Sequence, residues 1–158
     1  MTDLSPVMIE RARTESPSPR VTYLCADFSE HDFGDARFDC IISAAALHHM
    51  PLATTIQRMA GLLRPGGRLI IHDMRRDDGL KDVVRAYITL AHHSLIRLMR
   101  TGRPWPPVHV RAAWLRHGQD EHYLSWREVL SLSAPLLPGS RAFYHWMWRY
   151  TITWDKPR

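Results

Sequence analysis

Two adjacent histidines, His48 and His49, close the apolar run FDCIISAAALHHM, and carboxylates punctuate the same half of the chain at Asp3, Asp27 and Asp73. An imidazole at the C-terminal end of a strand can take a proton from a substrate hydroxyl near neutral pH. Strand alternation would send the two rings to opposite faces. One would then pack under the strand end while the other stands in a site, and His49 is the better catalytic candidate. The simpler reading gives both rings local structural roles. Asp3, just before Ser5-Pro6, can accept two hydrogen bonds from a diol or serve as a favourable charge at a helix N-terminus. Asp27 can contact a ligand or merely end a strand. His117 and Glu121 stand at i, i+4, but no further ligands join them at fixed spacing, so no metal centre is expected.

The elements that must hold these residues alternate in type. Ser5 can cap a helix that Pro6 opens, with Val7, Met8, Ile9 and Ala12 on its apolar side and TESPSPR as its end. VTYLCAD (21–27) reads as a strand, and residues 38–50 read as a strand buried on both faces. TTIQRMAGLL is a short amphipathic helix with Met59, Leu62 and Leu63 inward. RPGG stops it, and RLIIHDM is the next strand. This alternation predicts βαβ units and a parallel sheet, with ligands beyond the C-terminal strand ends. A long amphipathic helix spans Gly79 to about Arg100, and TGRPWPPVH breaks it. The stretch to HGQDEHYL is polar and helical in part. Ser125 and Glu128 fit a capping box for a helix carrying Val129, Leu130 and Leu132. RAFYHWMWRYTITWDK supplies one or two final strands.

The whole is one domain of 158 residues with ordinary composition. No apolar run is long enough to cross a bilayer and no signal-peptide layout is present, so no membrane span and a cytoplasmic location are expected. Cys25 and Cys40 lie in apolar runs and are expected as reduced core residues. The net charge of +5 comes from arginines scattered along the chain rather than gathered in a basic block. A nucleic-acid partner is not expected.

In order and spacing, DLSPVMIERAR, CADF, FDCIISAAALHHM, LLRPGGRLIIHDM and WRYTITWDKP resemble a class I S-adenosylmethionine-dependent methyltransferase of the small-molecule type. The likeness covers nearly the whole chain, more loosely over 77–120. It implies an α/β, Rossmann-like fold with a mostly parallel sheet, helices on both faces, and a helical insertion or substrate lid at about 77–122. It also implies S-adenosyl-L-methionine as cofactor. By that resemblance Asp3 would accept hydrogen bonds from the ribose hydroxyls, with Leu4 beside it. Asp27 would face the adenine amino group with Phe28 next to the ring, and Ser43 and Ala44 would line the methionine moiety. The implied reaction is methyl transfer to a small-molecule or lipid-like acceptor. SAAALHH differs from the Asn/Asp-Pro-Pro-aromatic signature of enzymes that methylate exocyclic amines in nucleic acids.

Upstream of its Asp-Leu-Ser segment the family carries a first strand, a glycine-rich turn and a helix. Here the first glycine is Gly34. The expectation is therefore an N-terminally truncated methyltransferase lacking a central strand and half of its cofactor site. A start site placed inside the gene, with Met1 standing where the strand often has valine, a decayed gene or a naturally shortened protein would each produce this. The alternative is a non-catalytic binding or scaffold remnant. The sequence does not set the oligomeric state.

Overall fold

The structure is a computed structural model that describes all residues except 77–78, 118–122 and 147, with backbone alone for 113–117. The His117 side chain and Glu121 therefore fall outside the described residues. The chain divides into two compact units, Met1–Arg37 and Phe38–Arg158.

In the first unit, strand β1 (Thr2–Asp3) runs parallel to β2 (Leu24–Cys25), with Asp3 opposite Cys25. Helix α1 (Pro6–Glu15) joins them. It starts where the sequence places it, because the Ser5 side chain accepts the Met8 N–H and Pro6 fills the first turn. It ends as the Ser16 N–H bonds to Ala12 O. Ile9 alone of this unit's apolar residues is buried, while Val7 and Met8 stay exposed. Two-residue strands offer too little surface to cover the full apolar side of α1. The strand expected over 21–27 is correspondingly short.

In the second unit, β3 (Phe38–Ala44), β4 (Leu63–Met74), β5 (Arg141–Tyr144) and β6 (Arg149–Asp155) form one sheet in the order β3-β4-β6-β5. The β3–β4 pair is parallel, and the two pairs made by β6 are antiparallel. Leu69 and Ile71 of β4 alternate inward with Ile152 and Trp154 of β6. Helix α2 (Leu52–Leu62) adds Ile56 and Met59 to this core, and α5 (Trp126–Leu136) adds Val129. Leu130 and Leu132, which the helix also carries, are exposed, and Ser133 is buried with Val129. Between β4 and α5 lie α3 (Leu80–Thr101) and α4 (Val108–His117). Gly102, at φ 68°, ends α3 by donating its N–H to Leu98 O.

Two expectations are corrected here. The 38–50 run is not a strand buried on both faces. Strand β3 is an edge strand, with Ile41 and Ser43 turned inward and Ile42 67% exposed on the other side. An edge strand with one bare face leaves half of a continuous apolar run in water. Cys25 and Cys40 are free thiols as expected, but both are exposed rather than in the core.

RPGG does not stand outside the strands either, because β4 begins at Leu63 and passes through it. The register against β3 jumps there, from Phe38 opposite Leu63 to Cys40 opposite Arg68. A Cβ on Gly67 would lie 2.9 Å from Arg64 O and 3.1 Å from Phe38 O. Only glycine fits that close backbone approach. Lys156 fastens the same corner, its ammonium donating to Ala60 O and Leu63 O at 2.8 Å each.

Candidate functional site

The site is assembled at the C-terminal ends of the parallel pair β3–β4. The ladder runs one residue past β3, with the Ala45 N–H on His72 O at 2.8 Å. Ala45 then turns left-handed at φ 50°, a conformation that costs an alanine about 1–2 kcal/mol. The chain next coils into a short 3-10 turn, Leu47–His49. The alternation assumed for an extended LHH therefore does not apply.

Asp73, opposite this turn on β4, organises it. Its Oδ2 accepts the backbone N–H of Leu47 at 2.7 Å and of His48 at 3.2 Å. Its Oδ1 meets His48 Nδ1 at 2.6 Å and the Met74 N–H at 2.7 Å. Both side chains are buried, His48 at 3% and Asp73 at 1% exposure. A buried carboxylate taking hydrogen bonds on both oxygens is satisfied. It also fixes the imidazole so that Nδ1 faces the acid and Nε2, itself buried, lies on the far side of the ring. The His48 ring lies 4.0 Å from that of His49 and 5.1 Å from that of Tyr123.

A cleft of about 470 Å³ opens here, lined by Leu47, His48, His49, Met74, Leu124 and Tyr150 among others. Burial, reinforced by the charge of Asp73, pushes the Tyr150 phenol far above its usual range. It therefore stays protonated, an O–H donor rather than a base. The cleft is mainly apolar with a few convergent polar groups, as a small-molecule site requires. His49 reaches the same cleft but is exposed. Position at a strand end singles out Asp73 in the sequence, yet nothing there pairs it with His48.

The residues expected to hold the nucleoside lie in the first unit. Asp3 ends β1 and Asp27 lies just past the end of its neighbour β2, with the Ala26 N–H on Asp3 O at 3.1 Å. Each also shapes its own loop, Asp3 Oδ1 accepting the Ser5 N–H at 2.8 Å and Asp27 Oδ1 the Ser29 N–H at 2.7 Å. Each of these bonds uses Oδ1, and a carboxylate carries two acceptor oxygens. Phe28 is half-buried beside Phe33, and Leu4 is exposed. In the second unit Ser43 is buried and Ala44 exposed at the end of β3.

A second polar cluster has no counterpart in the sequence reading. Arg75, buried just past β4, donates to Asp82 Oδ2 at 2.9 Å and also bonds the Tyr144 hydroxyl. That hydroxyl donates to Asp82 and accepts from Arg85 at 2.9 Å. Burial first, and then Asp82, raise the Tyr144 phenol. The cluster fastens the start of α3 and does not line the cleft.

Known proteins resemble the chain in sequence and in fold. Residues 1–71 match the family described as methyltransferase domain. An uncharacterized methyltransferase of Mycobacterium tuberculosis is 34% identical over 70 residues, 44% of this chain and 36% of that protein. The 27-O-demethylrifamycin SV methyltransferase of Amycolatopsis mediterranei is 40% identical over 65 residues, 40% of this chain and 24% of the relative. N-methyltransferase NodS from Bradyrhizobium japonicum, solved with S-adenosyl-l-homocysteine, superposes with a TM-score of 0.61 at 15% identity, covering 99% of this chain and 65% of that one. The α/β fold is that of the class I S-adenosylmethionine-dependent methyltransferases, and the match to the methyltransferase domain lies in residues 1–71, under half of the chain. The cofactor of the class is S-adenosyl-L-methionine. The matched stretches span about a third or less of these curated relatives.

Proposed function

We propose that the protein takes part in S-adenosyl-L-methionine-dependent methylation of a small hydroxylated acceptor, with His48 as general base. The observation that carries this reading is the buried His48–Asp73 pair on the wall of an apolar cleft. When bound, the cofactor supplies a methyl group already activated by its positive sulfur. Asp3 and Asp27 would hold its nucleoside, with Leu4 and Phe28 beside them, and Ser43 and Ala44 would border its methionine part. Leu47, Met74 and Leu124 exclude water from the acceptor, and alignment supplies much of the rate. A hydroxyl acceptor must lose its proton, which His48 Nε2 takes as the new bond forms. Asp73 holds the tautomer and stabilises the imidazolium that results. The catalytic role assigned to His49 in the sequence passes to its neighbour, since the carboxylate holds His48.

The test begins with calorimetric titration of S-adenosyl-L-methionine into the folded chain. Formation of S-adenosylhomocysteine is then measured against small phenols, alcohols and amines. His48→Gln should lower kcat on a hydroxyl acceptor by about 10²–10⁴ and leave cofactor affinity unchanged. Undiminished turnover by H48Q would remove His48 from the chemistry.

A second reading, a non-catalytic scaffold, draws on the thin first unit, where Ile9 is the buried apolar residue. It predicts a folded chain that does not bind the cofactor.

A further inference from the structure

Helix α3 is amphipathic, yet its apolar side is the one in water. Leu80, Val84, Tyr87, Ile88, Leu95 and Leu98 share one face at about 3.6 residues per turn. All six are exposed, Leu80 at 80% and Tyr87 at 69%. On the opposite face Asp82 and Thr89 are buried, while Arg85, His93 and Arg100 are exposed. Asp82 and Arg85 tie the helix start to Arg75 and Tyr144 through the polar cluster. A surface helix ordinarily buries its apolar stripe and wets its polar one. Here polar anchors hold the helix, and a continuous apolar face of the kind that marks an interaction site is presented outward.

Charge indicates what covers that face. From Val83 to Gln119 the sequence holds arginines at 85, 97, 100, 103, 111 and 116 and no acidic residue. Asp82, the sole acid of α3, is buried against Arg75. Lys81 borders the apolar face on one flank and Arg97 on the other, and exposed Trp105 follows in the connection to α4. A second copy of the chain would set one cationic face against another. No described helix is long and apolar enough to cross a membrane. A cationic helix with a solvent-facing apolar stripe suits the plane of a bilayer surface.

We infer that α3 lies on anionic lipid surfaces, its apolar face in the headgroup boundary and its flanking lysine and arginines over the lipid phosphates. This does not depend on the role of His48. Cosedimentation of the 158-residue chain with vesicles tests it, comparing phosphatidylcholine alone with phosphatidylcholine carrying roughly 30% phosphatidylserine. Binding is expected on the anionic vesicles only and should fall as salt rises. The double variant Val84→Glu, Leu98→Glu should bind at least about tenfold more weakly, with unchanged circular dichroism because both positions are exposed. Lys81→Glu with Arg103→Glu, both exposed, should lose the anionic preference. Absence of binding at low salt, or equal binding by V84E/L98E, overturns the inference. So does a wild-type dimer that V84E/L98E converts to monomer, which would make the face a self-interface.

Discussion

Asp73 holds a turn and a ring with the same two oxygens. It holds the Leu47–His49 turn through two backbone N–H groups and holds the His48 ring through Nδ1. Asp73→Asn keeps the shape but places an amide NH₂ among donors that need an acceptor. Breaking such a buried, hydrogen-bonded pair costs about 3 kcal/mol, which urea unfolding of wild type and D73N would measure. A cost near zero would mean that the turn is held by its own backbone and that Asp73 acts on the imidazole alone. Tyr150 illustrates the opposite case, a neutral donor kept protonated by burial and by that same charge.

At the scale of elements, local signals gave what they could. Capping chemistry is written in a few adjacent residues, so the starts of α1 and α5 and the Gly102 end of α3 stand where the sequence implies. In α5 the Ser125 side chain accepts the Glu128 N–H at 3.3 Å, and Glu128 returns the bond to the Ser125 N–H at 2.7 Å. Arg76, first, and then Ser125 hold the Glu128 carboxyl down to about 2, from an ordinary value of 4.5. A depressed carboxyl stabilises the fold above its unfolded value, and that contribution drains away as pH falls from about 4.5 to 2. NMR titration should find the Glu128 midpoint near 2 in wild type and higher in Arg76→Ala, with the first turn of α5 loosening across that window. A midpoint of 4.5 in wild type would mean that the Arg76 contact does not persist in solution.

What the sequence could not supply is long-range. The apolar run of β3 shows a strand but not that it is an edge. The periodicity of α3 shows an amphipathic helix but not which face turns inward, because Arg75 and Tyr144 decide that from 7 and 62 residues away along the chain. The pairing of His48 with Asp73 across 25 residues is hidden for the same reason.

At the scale of the molecule, burial is uneven. The second unit holds the interdigitated core of β4, β6, α2 and α5, whereas the first is pinned by Ile9 and two short strands. Local opening free energy follows buried apolar contact and hydrogen-bonded backbone. Amides in β4 and β6 should therefore exchange slowest, and those of residues 1–37 at least about a hundredfold faster. Asp3 and Asp27, the groups proposed to hold the nucleoside, both lie in that weakly held unit. A ligand that binds only the folded unit stabilises it by about 2.7 kcal/mol at a hundred times its Kd. Saturating S-adenosyl-L-methionine should thus slow exchange in β1, α1 and β2 by up to about a hundredfold while leaving the slowest amides of β4 nearly unchanged. If the cofactor bound but left exchange in residues 1–37 untouched, the nucleoside would be held elsewhere, and the carboxylates of Asp3 and Asp27 would be left with their loop-shaping hydrogen bonds to Ser5 and Ser29.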